Sequence, residues 1–205
     1  MTFHYIHPDE LDVRRSLVVF TWLPEHSVVP QTNGAPDTQS VRRLIDEAQR
    51  VARCQGLVCY APGDTSSPVQ HWLGDDLATE PQHGGDLGAR LLHAIERRLS
   101  LGADRVVVVG ADQPGVDALV IEHAFSALRY SEVVYGPTSD GNIYLVGMKR
   151  LHRELLAGIP WTAGGALSCA LMVARRRRLS VTLLPEIHQP AGAWVKGLPR
   201  VPVDR

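Results

Sequence analysis

Short β-branched runs alternate with stretches of helical spacing along this chain. Leu17-Val18-Val19-Phe20 forms the centre of an expected strand over 16–22. Prolines, Asn33 and Gly34 make 24–36 a loop. Val41, Leu44, Ile45, Ala48, Val51 and Ala52 then recur at helical spacing. They predict a helix over 38–54, with Thr38 as candidate cap and Gly56 as its stop. A second strand is expected at 57–61, a loop at 61–70 and a short strand at 69–73. Leu87, Leu91, Leu92, Ile95 and Leu99 share one face of a helix over 86–100. Val106–Val109 is a continuous β-branched run, suited to a strand at 105–110 buried on both faces. A helix at 117–128, strands at 132–135 and 143–148, helices at 151–157 and 163–178 and a last strand at 181–184 complete the pattern.

Strands alternating with helices predict an α/β fold: a mostly parallel sheet with helices on both faces. Strands 132–135 and 143–148 are too close in sequence for a helical crossover. They either pair antiparallel or diverge around the loop at 136–142.

The chain has 205 residues, enough to bury a full core. One domain over 16–190 is expected, with an N-terminal extension at 1–15 and a proline-rich tail at 191–205. The balance of 21 basic and 22 acidic residues gives no support for a nucleic-acid partner. Arg175-Arg176-Arg177-Arg178 falls late in an expected helix, where cations complement the dipole. Cys54, Cys59 and Cys169 lack metal or disulfide spacing and read as buried thiols of a reducing compartment. The start does not resemble a signal peptide, and no apolar run approaches the roughly 20 residues of a membrane span. The expectation is a soluble, cytoplasmic protein; a homo-oligomer is admitted.

Three stretches carry candidate chemistry. Asp112 follows the Val106–Val109 strand and Gly110 at once. Ligands of open α/β sheets bind beyond the carboxyl ends of strands, and a carboxylate there can hold a divalent cation against phosphates. The rival reading makes Asp112-Gln113-Pro114-Gly115 only a turn, but Asp117 is the better cap for the next helix. Gly84-Gly85-Asp86 opens a helix whose N-terminus offers free N–H groups to an anion, or Asp86 simply caps it. Arg90 either pairs with Asp86 at i,i+4 or faces a phosphate. Asp140 and Asn142 lie in a turn by composition, where Asp140-Gly141 suits positive φ. Trp161 is either a core anchor or a wall of an acceptor pocket. Glu186 and His188 share one face of an extended segment and could join Asp112 on a metal.

Together these motifs resemble a family of bacterial GT-A-like glycosyltransferases, formerly a domain of unknown function, some members of which are labelled arsenosugar-biosynthesis glycosyltransferases. Gln82-His83-Gly84-Gly85-Asp86-Leu87-Gly88-Ala89-Arg90 is similar to its Gln-x-Gly-Gly-Asp-Leu-Gly-x-Arg segment. Gly110-Ala111-Asp112-Gln113-Pro114 is similar to Gly-Ser-Asp-Cys-Pro, and the stretch from Gly136 to Gly147 to Gly-Pro-x-x-Asp-Gly-Gly-Tyr-x-Leu-Ile-Gly. Ile159-Pro160-Trp161-Thr162 also matches.

The resemblance implies a single-domain, Rossmann-like nucleotide-diphospho-sugar transferase fold. It implies a nucleotide-sugar donor, a small acceptor and a divalent cation, Mg or Mn. Asp112 and Asp140 would be catalytic. Gln82, Gly84, Gly85, Asp86, Arg90, Asn142 and Trp161 would bind substrate, and Asp112, Glu186 and His188 would hold the metal. Two departures stand out. The family's basic loop after the first strand has no counterpart, since no Lys or Arg lies between Phe20 and Val41. Its late Asp-x-Asp-Thr segment reads Glu186-Ile187-His188-Gln189 here. The depleted loop keeps a non-catalytic binding or scaffold protein open beside the glycosyltransferase, and a nucleotidyltransferase of the same superfold, which also needs a Gly-rich segment and a strand-end Asp, stays open as well.

Overall fold

The computed structural model describes residues 13–22, 38–61, 69, 72–161 and 164–188. The loop at 24–36, most of that at 61–70, nearly all of the extension and the tail lie outside them, as does Thr162. The elements run β1 (Arg15–Trp22), α1 (Thr38–Gln49), β2 (Cys54–Ala61), β3 (Thr79–Pro81), α2 (Leu87–Ser100), β4 (Arg105–Gly110), α3 (Ala118–Ala127), β5 (Val133–Pro137), β6 (Ile143–Met148), a 3-10 turn (Arg153–Leu155), α4 (Ala166–Arg176) and β7 (Val181–Leu183).

The strands form one seven-stranded sheet in the order β3-β2-β1-β4-β6-β5-β7. β1 pairs parallel with β2 and β4, β2 with β3, and β5 with β7. β6 runs antiparallel to both β4 and β5. The open choice for strands 132–135 and 143–148 is thus settled: they pair, and β6 is the one reversed strand. Every other strand ends at the same edge of the sheet, where β6 begins.

Alternate residues of β1 feed two cores, as a sheet buried on both faces requires. Leu17 and Val19 pack with Leu44 and Ile45 of α1 and Ile121 and Phe125 of α3. Val18 and Phe20 pack with Leu91 and Ile95 of α2 and Ala166, Ala170 and Ala174 of α4. α1 and α3 therefore cover one face, α2 and α4 the other. The Asp86 carboxylate accepts from the Ala89 N–H and the Asp117 carboxylate from the Val120 N–H, capping α2 and α3. Among the described residues no helix is long and apolar enough to cross a membrane.

The expected helix over 38–54 is shorter than its apolar spacing implies. It ends at Gln49, Arg53 turns the chain in the left-handed region (φ 56°), and Cys54 already belongs to β2. Gly56 does not stop a helix. It lies in the strand, where an added Cβ would sit 3.0 Å from Ile45 Cδ1, so its missing side chain lets α1 settle onto β2. Val69, Trp72 and Leu73 are helical rather than extended. The helix expected over 151–157 narrows to the 3-10 turn, and α4 starts at Ala166 and stops at Arg176, inside 163–178. β3 is an addition.

The three cysteines are free. Burial pushes the thiols of Cys54 and Cys59 up to about 12, so both behave as inert packing groups. Arg175 and Arg176 fill the last turn of α4, and Arg177 reaches Glu154 at 3.5 Å.

Candidate functional site

The carboxyl end of β4 is built by residues from three elements. Asp117 takes the cap of α3, so Asp112 is left in the turn, half-buried. Gln113 is fully buried, and its Nε2 donates to Asp112 Oδ1 at 2.9 Å. Arg43 of α1 clamps the same loop: its Nη1 donates to the Val116 carbonyl (2.6 Å) and its Nη2 to the Gln113 carbonyl (2.7 Å). Glu47, one turn on, accepts from the Ala118 N–H at 2.9 Å.

Beside β1 the 82–90 segment makes a second wall. Gln82 is buried, and its Nε2 donates to the carbonyls of Thr21 (3.1 Å) and Cys59 (2.9 Å), clipping the ends of β1 and β2 together. Gly84 has φ 138°, a conformation natural to glycine, while a Cβ on Gly85 would meet nothing within 4 Å. Asp86 spends Oδ1 on the Ala89 N–H at 2.7 Å. Arg90 turns away from it. Its Nε donates to the Gly84 carbonyl at 2.9 Å, and its guanidinium lies 4.9 Å from the centre of the Trp22 ring. Desolvation holds the Arg90 guanidinium below its ordinary value against the pull of Asp86. It remains a cation, as arginine does in proteins.

Trp161 is an anchor. It is buried, and its indole N–H donates to the Leu156 carbonyl at 2.9 Å. Gly88 allows this closeness: a Cβ there would lie 2.4 Å from that carbonyl oxygen.

The third wall is the turn between β5 and β6. Gly141 takes φ 78°, the positive value that Asp140-Gly141 suggests. Asp140 Oδ1 accepts from the Thr138 hydroxyl and from the Asn142 N–H (3.3 Å), and Oδ2 accepts from Asn142 Nδ2 (2.9 Å). Partial burial pushes the carboxyl up, but these donors outweigh it and hold it below the usual carboxylate range. The turn fills three of the carboxylate's roughly four acceptor positions. Such a group is a better fixed anion than a base. The Gly141 carbonyl accepts from the Leu167 N–H at 3.3 Å, tying the turn to the start of α4.

Beyond β7, Ile187 donates to the Pro137 carbonyl (3.1 Å) and accepts from the Ser139 N–H (3.1 Å), so the chain lies against that turn. Ile187 packs on the core, and Glu186 and His188 on either side of it are exposed. The structure does not gather them with Asp112: among the described residues no three His, Cys, Asp or Glu side chains lie close enough to hold a metal ion.

All three walls stand at one edge of the sheet, and so do most of its incompletely bonded polar groups. Six buried side-chain atoms among the described residues lack a hydrogen-bond partner: Thr21 Oγ1, Gln82 Oε1, Arg90 Nη1, Gln113 Oε1, Tyr135 OH and Asn142 Oδ1. All but Tyr135 lie at or just beyond that edge. Sequence reasoning misses Thr21, Arg43 and Gln113. Arg43 is one of several polar positions on α1, Thr21 one residue of a strand, and Gln113 reads as turn filler. No pattern marks them.

The chain has the nucleotide-diphospho-sugar transferase fold, here a mostly parallel α/β sheet with open polar groups at its strand ends. The chain belongs to the family described as "Uncharacterized protein conserved in bacteria (DUF2064)", which matches residues 44–163. It is similar to a Desulfovibrio desulfuricans G20 protein provisionally assigned as a nucleotide-diphospho-sugar transferase, with 25% identity, TM-score 0.75, and 87% of this chain and 82% of that one covered. Two further structures share the fold. One is CMP:2-keto-3-deoxy-manno-octonic acid synthetase complexed with CTP (11% identity, TM-score 0.56, 86% and 90% covered). The other is Mycobacterium tuberculosis H37Rv protein Rv0371c in complex with manganese (16%, 0.54, 90% and 95%). No curated protein matches the chain.

Proposed function

We propose that this protein transfers a sugar from a nucleotide-diphosphate sugar to a small acceptor, with a divalent cation assisting. The observation that carries the reading is the group of unpartnered polar atoms at the strand ends. Each buried donor or acceptor left without a partner costs about 1–3 kcal/mol, so a concentration of them at one edge marks a place meant for a polar ligand.

In this reading Arg90 meets the donor diphosphate. It brings to the edge a guanidinium with an unpartnered Nη1, and the first loop supplies no cation in its place. Gly84 and Gly85 give the diphosphate room to approach the backbone. The hard oxygens of Asp112 fit Mg or Mn, which are commonly held by one or two carboxylates and the substrate's own phosphates. Glu186 and His188 are exposed rim groups, outside that ligand set. When bound, the cation supplies Lewis-acid stabilisation of the departing diphosphate. The bond from the sugar carbon to the diphosphate oxygen breaks with its electron pair on that oxygen, and the acceptor oxygen bonds to the carbon. The acceptor's proton passes to the leaving diphosphate or to water. Asp140, held ionised by its turn, orients a sugar or acceptor hydroxyl beside the open Oδ1 of Asn142. The transferase unit is 16–190, and the cytoplasm, where nucleotide sugars are made, suits it.

The test pairs binding with product. Asp112→Asn is expected to weaken manganese-dependent binding of a nucleoside diphosphate by about 100-fold, some 2.7 kcal/mol, with the melting temperature kept. Calorimetric titration reads it, and unchanged affinity removes Asp112 from the site. Release of a nucleoside diphosphate from a sugar nucleotide supports sugar transfer. Release of pyrophosphate from a nucleoside triphosphate replaces it with nucleotidyl transfer.

A further inference from the structure

Gln113 is an odd residue for its position. It carries an amide with no measurable exposure. A carboxylate accepts hydrogen bonds and donates none, so the amide must turn its NH2 to Asp112, as the 2.9 Å bond requires. Its Oε1 is then left on the other side, buried and without a partner. For stability alone this is a poor choice, because an apolar side chain of the same shape would avoid the orphaned acceptor. The backbone of the same residue is also fixed: its carbonyl takes the Arg43 Nη2 bond at 2.7 Å, and the Val116 N–H donates to it at 3.3 Å. Backbone and side chain of Gln113 are thus both locked, and the side chain holds one oxygen of Asp112.

We propose that Gln113 is a positioning residue: the buried carboxamide, on a loop clamped by Arg43, fixes the rotamer of Asp112 so that its carboxylate meets a cation and diphosphate in one orientation. This rests on the reading of Asp112 as the cation's carboxylate. Groups that orient metal-binding carboxylates typically alter affinity by 10–100-fold when removed. Their contribution is orientation, which an apolar isostere of the same volume cannot give.

The experiment compares wild type, Asp112→Asn, Gln113→Met and Gln113→Cys. Manganese is titrated alone and with UDP or GDP, followed by loss of the free-ion electron paramagnetic resonance signal, and each protein is melted in parallel. Gln113→Met keeps the volume and removes donor and orphaned acceptor together. The expected result is manganese affinity about tenfold weaker, with a melting temperature equal to or above wild type. A purely structural role gives the reverse, a lower melting temperature with unchanged affinity, and overturns the proposal. If Asp112→Asn loses binding while Gln113→Met binds like wild type, the inference falls and the reading of Asp112 stands. If Asp112→Asn binds like wild type, both fall. Should Gln113→Met lose its native transition, Gln113→Cys decides: its weak thiol donor predicts affinity below wild type, and equal affinity overturns the proposal.

Discussion

The two edges of the sheet treat polar groups in opposite ways. At the edge where β1 begins, charges are closed on one another. Arg15, 3% exposed, donates from Nη1 to both carboxylate oxygens of Glu122 (3.0 and 2.8 Å) and lies over the Phe125 ring. Glu132 takes Lys149 at 3.2 Å and His152 at 3.3 Å. At the other edge Thr21, Gln82, Arg90, Gln113 and Asn142 each keep an atom without a partner. The contrast separates polar residues that hold the fold from those held ready for something else. Burial alone would not have done so, because Arg15 and Gln113 are both buried.

The largest effect should come from breaking the closed edge. Glu122→Ala removes the carboxylate from a buried guanidinium, and losing one partner of such a pair costs about 3–5 kcal/mol. Chemical denaturation should show that loss while nucleotide affinity of the folded protein stays put. A loss below about 1 kcal/mol would mean the pair behaves like a surface bridge.

Arg90→Gln tests the open edge and should invert the pattern. Stability should change by no more than about 1 kcal/mol, the contact with Trp22 being a cation–π interaction at a partly exposed site. Nucleoside-diphosphate binding should weaken by about 1.5–3 kcal/mol, roughly ten- to 150-fold, because a charge-assisted bond is removed. Equal affinity in calorimetry would assign the phosphate contact to another group.

The smallest effect concerns pH. Asp140 is held below its unfolded value, near 3.9 for a free aspartate. Its ionised form therefore adds stability that is complete above that value and is lost as pH falls through the lower, folded one. Melting temperatures between pH 6 and pH 2.5 should fall less steeply for Asp140→Asn than for wild type. Parallel curves would show that the Thr138 and Asn142 bonds contribute nothing net.

Much of the closed architecture is legible in the sequence because it rests on repetition. Val106–Val109 announces a buried strand, and Asp117 is a recognisable cap, which leaves Asp112 over. β3 is not legible: Thr79-Glu80-Pro81 has no alternation, and it is a strand only because Gln82 and its neighbours dock on β2. The end of α1 misleads for a similar reason. Val51 is apolar and buried, as the helical spacing asks, but it packs from a turn. At the open edge the motif residues can be read, whereas their supports cannot. Arg43 reaches Gln113 and Val116 across some seventy positions of sequence, and no local pattern encodes such a distance.

The reversal of β6 gives the chain an economy of route. Loops between parallel strands must also launch a helix, so their residues answer to a cap as well as to a ligand. The turn from Thr138 to Asn142 launches none. It visits the open edge and goes straight back into the sheet, braced by Leu167 and Ile187 through backbone atoms alone. The braces themselves involve no side chain, so an exchange at Ser139 leaves them in place. This is the stretch where the open edge can change its chemistry at the least disturbance to the scaffold.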